Sequence, residues 1–478
     1  MKKLFLLTGI ILILAACGKN ENRPIEEYVS AFLNENENVV AFGKADLKSI
    51  LDEMDYSSIP KFGVIMKSQV KEFEKLINLN ASIYYALEGP FLEDGTPSTT
   101  LAFIEIKNAD SLAARLGVQG FDIEEDGELS YFESGDVAMG MQGNLAIFIS
   151  KKGEFDGKVA LNDAFDRVYG DVSEGKVNQI LAAKGDIVMG VSMKNLYTTS
   201  NTDLKKLSAD EKEGIMEMVD GSFLQTSVSF EQGAAVIKTK NYFSSELKKQ
   251  MFFKKDASAS IVSKLGTGNP VFGIALNLDL KKMQAFIDKY AASAMRDVME
   301  SLGPLQMVMA SSKDGLAGIL TGELGLVMVG QPNANEGISD MNMFVGLKPA
   351  GKPLADMAKG FLELSMAKVE INSRGLSAYS NAEYVPMSGQ KIRIPRGCEN
   401  FGKKGITGFV NLEDVDMESF GLTEEEKVLT VIKYVTFEMD ENGATIRIQA
   451  RDGKENILKQ AAELMVKEFE MKISGLTL

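Results

Sequence analysis

The residues best arranged for metal chemistry are carboxylates spaced as in a calcium-binding loop. Asp122, Glu124, Asp126 and Glu133 occupy the first, third, fifth and twelfth positions of such a loop, and Gly127 occupies the sixth. This spacing supplies a calcium ion with several oxygen ligands from one short stretch of chain. The third position departs from the usual pattern, since the loop normally has Asp or Asn there.

The same residues also fit a β-hairpin that needs no cation. Apolar and polar side chains alternate on both sides of the Asp126-Gly127 pair, and an Asp-Gly pair favours a tight turn. A similar turn at residues 372–375 keeps the glycine and has no carboxylate. We therefore expect the hairpin, with the calcium loop as the alternative, and we expect neither a metal nor a cofactor.

A second candidate site is a basic segment in an acidic protein. Residues 389–405 contain five cationic side chains and the single carboxylate of Glu399; the cations are Lys391, Arg393, Arg396, Lys403 and Lys404. Gly397, Gly402 and Gly405 predict a mobile loop that gathers these cations around an anion or an acidic partner. The alternative is a solvated loop that only balances local charge.

The absence of histidine from the sequence excludes several kinds of catalytic site. Serine and cysteine hydrolases that depend on an imidazole, and the usual zinc, haem and copper sites, all need this residue. The two cysteines are Cys17 and Cys398, and we expect Cys398 to be a buried small hydrophobe. These features favour a protein that is not an enzyme.

The first seventeen residues have the features of a cleaved lipoprotein signal. Lys2 and Lys3 precede an apolar run at residues 4–14, which is too short for a membrane-spanning helix, and Leu14-Ala15-Ala16-Cys17 follows. This ending resembles the lipobox of bacterial lipoproteins, in which cleavage leaves a lipidated, palmitate-bearing cysteine at the N-terminus. We expect residues 1–17 to be the signal peptide and the lipid on Cys17 to be the membrane anchor.

The net charge of the chain without its signal limits the classes of partner that it can bind. Removal of Lys2 and Lys3 with the signal leaves 50 Lys and Arg against 67 Asp and Glu, a net charge of −17. Such a charge disfavours nucleic acid as a partner. We expect contact with the membrane through the lipid on Cys17, and another envelope protein as the second partner.

Several landmarks recur in the same order and predict an internal duplication. The strand and helix at residues 39–54 correspond to those that begin at residue 271, and residues 103–116 correspond to residues 343–361. The turn at 126–131 corresponds to 374–379, and the hairpin at 228–240 corresponds to 435–449, where Asn442-Gly443 marks the turn. Each hairpin is followed by a predicted helix.

These landmarks divide the chain into a polar tether and two repeats. Residues 18–38 are the tether, with one or two helical turns around Ile25 to Leu33, and the repeats cover residues 39–255 and 266–478. Because each repeat combines hairpins with helices, the predicted class is α+β, internally duplicated, with antiparallel sheets and helices packed on one face.

The outline resembles a family of uncharacterised lipoproteins, a domain of unknown function, from Bacteroidota-type bacteria. The likeness rests on the lipobox, the polar tether and the opening at residues 38–50, NVVAFGKADLKSI. The resemblance implies no known activity. We expect a lipid-anchored envelope protein that serves as a binding or assembly module. The alternatives are a carboxylate- or metal-dependent hydrolase, and a carrier of an apolar ligand between the repeats. Gly18 after the cysteine predicts an outer-membrane location. The sequence does not distinguish the periplasmic face of that membrane from the cell surface.

Overall fold

The computed structural model describes residues 23–60, 62–92, 94–172, 175–199, 207–254, 259–295, 312, 314–330, 340–387, 389–415 and 426–475. The chain divides into two compact units, one of residues 1–52 and 56–201, the other of residues 53–55 and 202–478. Helices and antiparallel strands occur in both, which confirms the predicted α+β class. Cys17 lies outside the described residues. Among the helices described, none is both long and apolar enough to cross a bilayer.

The first unit is an antiparallel ladder with helices around it. Its helices are α1 (Ile25–Glu35), α2 (Leu47–Met54), α3 (Phe62–Leu76), α4 (Ala109–Val118), α5 (Gly157–Val168), α6 (Lys176–Leu181) and α7 (Met193–Thr199). Its strands are β1 (Val39–Ala45), β2 (Ile83–Phe91), β3 (Pro97–Glu105), β4 (Glu124–Asp126), β5 (Leu129–Ser134), β6 (Val137–Gln142), β7 (Leu145–Lys151) and β8 (Ile187–Ser192). Their order is β4-β5-β6-β7-β3-β2-β1-β8.

Helix α1 belongs to the core of the first unit, so the predicted tether at residues 18–38 is wrong beyond residue 24. Its apolar residues recur with helical spacing and are at most 2% exposed: Ile25, Tyr28, Val29, Ala31 and Phe32. The ring of Phe32 packs 5.0 Å from that of Phe103 on β3. Only residues 18–24 separate Cys17 from this helix. The helical turns predicted within the tether are confirmed and extend over Ile25–Glu35.

Two helices of the first unit pack against opposite faces of the ladder. Helix α5 lies so close to β6 that a Cβ atom on Gly140 would stand 2.9 Å from the ring of Phe165. Helix α4 packs instead on the cluster that contains Met141 and Ala146, the neighbours of Gly140 and Ile147 along their strands. Because successive side chains of a strand alternate between faces, both sides of the ladder contribute to the core.

The second unit is a longer antiparallel ladder. Its helices are α8 (Ala209–Val219), α9 (Ser245–Lys249), α10 (Leu280–Tyr290), α11 (Gly315–Ile319), α12 (Lys352–Leu364) and α13 (Ile457–Gly475). Its strands are β9 (Phe223–Glu231), β10 (Ala234–Tyr242), β11 (Pro270–Asn277), β12 (Leu320–Val329), β13 (Asp340–Leu347), β14 (Lys368–Asn372), β15 (Gly375–Tyr379), β16 (Ile406–Asn411), β17 (Ile432–Asp440) and β18 (Gly443–Ala450). Their order is β9-β10-β18-β17-β16-β11-β12-β13-β15-β14.

The structural division of the chain does not follow the predicted join at residues 256–269. The hairpin β9–β10 was expected in the first repeat, but β10 pairs along its length with β18 of the second. This pairing places residues from 202 onward in the second compact unit. A pairing over such a sequence separation leaves no local signal in the sequence, and an order of landmarks alone does not reveal it.

The turns predicted from sequence are confirmed, but one correspondence between repeats is not. Strands β4 and β5 form the expected hairpin at Gly127, and β17 and β18 turn at Asn442-Gly443. The segments expected to match, β5 and β15, occupy different places in their ladders. Each is the second strand of a hairpin, β4–β5 or β14–β15, but the other neighbour of β5 is β6 and the other neighbour of β15 is β13. In the first unit β3 pairs with β2 and with β7, and not with β5.

Candidate functional site

The basic segment at residues 389–405 crosses the surface of the second unit as a series of turns fixed to the core. Ile392, Cys398 and Phe401 are at most 4% exposed and belong to the main apolar cluster of this unit. The ring of Phe401 packs 5.1 Å from that of Phe409 on β16. The spacing of these three residues turns the intervening polar side chains outward.

Hydrogen bonds to buried groups hold the backbone of the basic segment. Asn277, at the end of β11, is fully buried, and its Nδ2 donates to the carbonyls of Gly402 at 3.2 Å and Lys404 at 2.8 Å. The amide of Gly402 donates to Oγ1 of Thr407 at 2.7 Å. Near the other end, the amide of Arg393 donates to the carbonyl of Gly268 at 3.0 Å. The prediction of a mobile loop is therefore wrong, because core side chains and buried hydrogen bonds fix its course.

The segment exposes four of the five predicted cations. Lys391, Arg393, Arg396 and Lys403 are exposed. Lys404 is half-buried, and its Nζ lies 3.3 Å from Glu438 and 3.4 Å from Asp440 on β17. Burial lowers the pKa of Lys404, but its hydrogen bond to Glu438 and its attraction to both carboxylates outweigh this and leave the pKa raised. Lys404 therefore stays charged, and carboxylates of its own unit balance this charge.

Glu399 is held as a carboxylate between the cations. Its Oε1 accepts a hydrogen bond from the amide of Gly397 at 2.9 Å. Backbone hydrogen bonds lower its pKa, and the charges of Arg396 and Lys403 add to this effect. The four exposed cations less this one carboxylate leave a net surface charge of about +3 on the segment.

Cys398 is buried, as predicted, and its thiol is free. Burial, assisted by the neighbouring charge of Glu399, raises the pKa of this thiol from 9.0 to about 12. The folded state therefore disfavours the thiolate. Its contribution to stability is fully present below pH 9 and is lost as the pH rises towards 12.

We expect Cys398 of the folded protein to resist alkylation by iodoacetamide at pH 8. The raised pKa lowers the thiolate fraction roughly a thousandfold relative to an unfolded chain, and burial adds a further barrier. Mass spectrometry after timed labelling measures the rate, with the same protein in denaturant as the control. Rapid labelling under native conditions would show that the segment around Cys398 opens freely, contrary to the anchoring described above.

The four carboxylates of the predicted calcium loop face separate partners. Asp122 is exposed, and Glu124 accepts the hydroxyl of Tyr131 at 2.6 Å. The remaining two contact the start of α5: Asp126 pairs with Lys158 at 2.8 Å, and Glu133 accepts the amide of Gly157 at 3.2 Å. Among the described residues, no group of three or more acidic, cysteine or histidine side chains is placed to hold a metal. Asp126 and Glu133 thus join the hairpin to α5, and Glu124 bonds within the hairpin.

A cavity of about 410 Å³ lies in the first unit between α1, α5 and the ladder. The cavity is lined by Phe32, Leu101 and Ile149, and by three carboxylates. Each carboxylate accepts a hydrogen bond from another protein group. Asn36 donates to Glu88 at 2.5 Å, the amide of Val159 donates to Asp156 at 2.9 Å, and Arg167 donates to Asp163 at 3.0 Å. The fold thus already uses each of these carboxylates.

Two helices expose apolar side chains that belong to no catalytic or charged motif of the sequence. On α3, Val64 is 76% exposed, Ile65 61% and Phe73 53%. Phe361, Leu364 and Met366 are also exposed, at and just beyond the end of α12. The helical spacing of apolar residues along residues 65–76 is the sequence signal that would have revealed the first of these surfaces.

Comparisons with known proteins place the chain in no family. No protein-family model matches it, and no curated protein matches it. Similar solved structures include crystal forms I and IV of TP0453, at 7% and 8% sequence identity, each with a TM-score of 0.27. The matches cover 46% of this chain, and 78% and 80% of the two TP0453 chains. A likeness at this level supports no conclusion about fold or function.

Proposed function

We propose that this protein is an envelope lipoprotein, held in the outer membrane by a lipid on Cys17, and that its body is a non-enzymatic binding or assembly module. The lipobox supports the anchor, and the resemblance to uncharacterised lipoproteins agrees with it. The position of α1 supports a close attachment. Eight residue steps separate Cys17 from Ile25, and an extended chain covers at most about 28 Å in that distance.

The observation that carries the binding function is the cationic surface of residues 391–403. Four exposed cations are fixed on an anchored backbone, although the protein as a whole carries a net charge of −15. Because the backbone is already ordered, binding loses less conformational entropy than it would with a mobile loop. Such a surface fits an acidic patch on another envelope protein, and the attraction should weaken as salt increases.

We expect the double substitution Lys391→Glu and Arg393→Glu to reduce partner cross-linking in intact cells by at least about tenfold, since it reverses two charges on this surface. Lys352→Glu with Lys368→Glu is the matched control, because these exposed lysines lie elsewhere on the same unit. Quantitative mass spectrometry of the cross-linked products gives the comparison. Equal losses in both variants, or no loss in either, would exclude residues 391–403 as the binding surface.

We also infer that the body arose by internal duplication. The meander β1-β2-β3 corresponds to β11-β12-β13. A further strand pairs with the first strand of each meander: β8 pairs with β1, and β16 pairs with β11. The register of β10 against β18 adds support. Ile237 pairs with Ile446, and these two residues are also equivalent when the hairpin sequences are aligned. The equivalent hairpins β9–β10 and β17–β18 therefore pair with equivalent residues opposite each other, as expected for two copies of one hairpin.

The predicted packing of helices on one face is proposed only for α1, α5 and α6 of the first unit, because α4 packs on the other face of that ladder. In the first unit, α1 contributes Phe32 against Phe103, and α5 lies over Gly140. Helix α6 approaches the ladder at Gly190 through Ile180. The strand pairings from β6 through β7, β3, β2 and β1 to β8 put the residues that these helices contact on the same face of the ladder. All three helices are therefore consistent with one face.

A further inference from the structure

Helix α3 presents an apolar face that its own unit leaves largely uncovered. Ile65, Met66, Val70, Phe73 and Leu76 recur with helical spacing and fall on one side of the helix. Ile65 is 61% exposed and Phe73 53%, whereas Leu76 packs on the core at the end of the helix. An apolar stripe of this kind is normally buried, so its exposure calls for an apolar partner.

The contacts of the first unit place this helix at the end of the ladder where the anchor enters. Helix α3 leads into the bridge between Ile77 and Ile106, beside the end of β3. At the same end, Phe32 of α1 packs on Phe103, the residue of β3 that pairs with Tyr84 at the start of β2. The far end of α1 is marked by the bond from Asn36 to Glu88. The first turn of α1 therefore lies towards the same end of the ladder as the end of α3, although Leu76 of α3 packs on the opposite face from α1.

The polar side of α3 has the charges that suit a lipid surface. Lys67, Lys71 and Lys75 are exposed. Lys75 is paired with Glu72 at 2.5 Å, so Lys67 and Lys71 supply the remaining positive charge, against Glu74. Helices that lie in the plane of a membrane combine a stripe of this kind with lysines that reach the lipid phosphates. The small positive balance of α3 contrasts with the net charge of −15 of the whole chain.

We propose that the apolar face of α3 lies in the headgroup layer of the bilayer that holds the lipid on Cys17. This inference rests on the lipid anchor proposed above. Seven residues between Cys17 and α1 keep the unit near that surface, and a second attachment adds to the weak hold of acyl chains alone. The helix would fix the orientation of the first unit on the membrane.

The absence of tryptophan from the sequence allows a direct test with a single reporter. Phe73→Trp places the reporter on the apolar face of α3. Val159→Trp is the control, because Val159 is 63% exposed and lies near Glu88 and Thr99, at the end of the ladder away from the anchor. Both lipidated full-length mature proteins are reconstituted into vesicles of phosphatidylethanolamine and phosphatidylglycerol, with and without brominated acyl chains.

We expect the emission of Trp at position 73 to shift to the blue in vesicles and to be quenched at least about twofold by the brominated lipid, with Trp at 159 unchanged. Emission that matches the control in protein that sediments with vesicles would overturn the α3 inference and leave the anchor intact. A blue shift without quenching would also overturn it, since a protein surface or a second copy would then cover α3. Loss of the anchor itself is distinguished by mature protein that carries no lipid mass and stays in the supernatant.

Discussion

Substitution of Cys17 by Ala is expected to abolish incorporation of labelled palmitate into this protein. The residue provides the sulfur that the lipobox presents for lipid attachment, and the other cysteine, Cys398, is buried with its thiol protonated. Metabolic labelling of cells with an alkyne analogue of palmitate, followed by fluorescence detection on a gel, gives the readout. The effect should be all or none, because the lipobox presents one residue for lipid attachment.

The second cysteine supplies the matched control for this experiment. Cys398→Ala removes a thiol from the core of the second unit and should leave palmitate incorporation at the wild-type level. Retention of label by the Cys17→Ala protein would place the lipid elsewhere and remove the basis for the anchor. Loss of label in both variants would point to a general failure of export.

Truncation of Phe32 to Ala is expected to lower the free energy of unfolding of the first unit by about 3–5 kcal/mol. Phe32 is 1% exposed and packs against Phe103, so its removal leaves a cavity between α1 and the ladder. Hydrogen exchange of the β2 and β3 amides under denaturant measures the change for this unit separately from the other.

Phe73→Ala is the control for Phe32, since it removes the same atoms from a side chain that is 53% exposed. We expect it to cost less than about 1 kcal/mol. A similar small cost for Phe32→Ala would mean that residues 25–35 are a tether after all, as their polar neighbours first suggested. The close attachment of the first unit to the membrane would then lose its support.

Features fixed by neighbouring residues were predictable from sequence. Asn442-Gly443 supplies the backbone freedom of a tight hairpin turn, and β17 and β18 pair around it. Asn108 caps α4 by accepting the amide of Ser111 at 2.8 Å, and Pro353 occupies the first turn of α12. The burial of Cys398 also followed from residue type alone.

Features that depend on distant residues were missed for identifiable reasons. The Asn and Glu of residues 18–38 have the composition of a tether, although Ile25, Tyr28 and Phe32 have the spacing of a buried helical face. The glycines at 389–405 suggested mobility, but Asn277, more than a hundred residues earlier, fixes the segment. The pairing of β10 with β18 likewise has no local sequence signal.

We propose that a lipid on Cys17 holds the first unit against a membrane. The most direct test of this proposal is mass spectrometry of the N-terminal peptide of the mature protein, purified in detergent from its own envelope. The account predicts a peptide that begins at Cys17 and carries the added mass of acyl chains. A mature chain that begins at another residue, or at an unmodified Cys17, would contradict it.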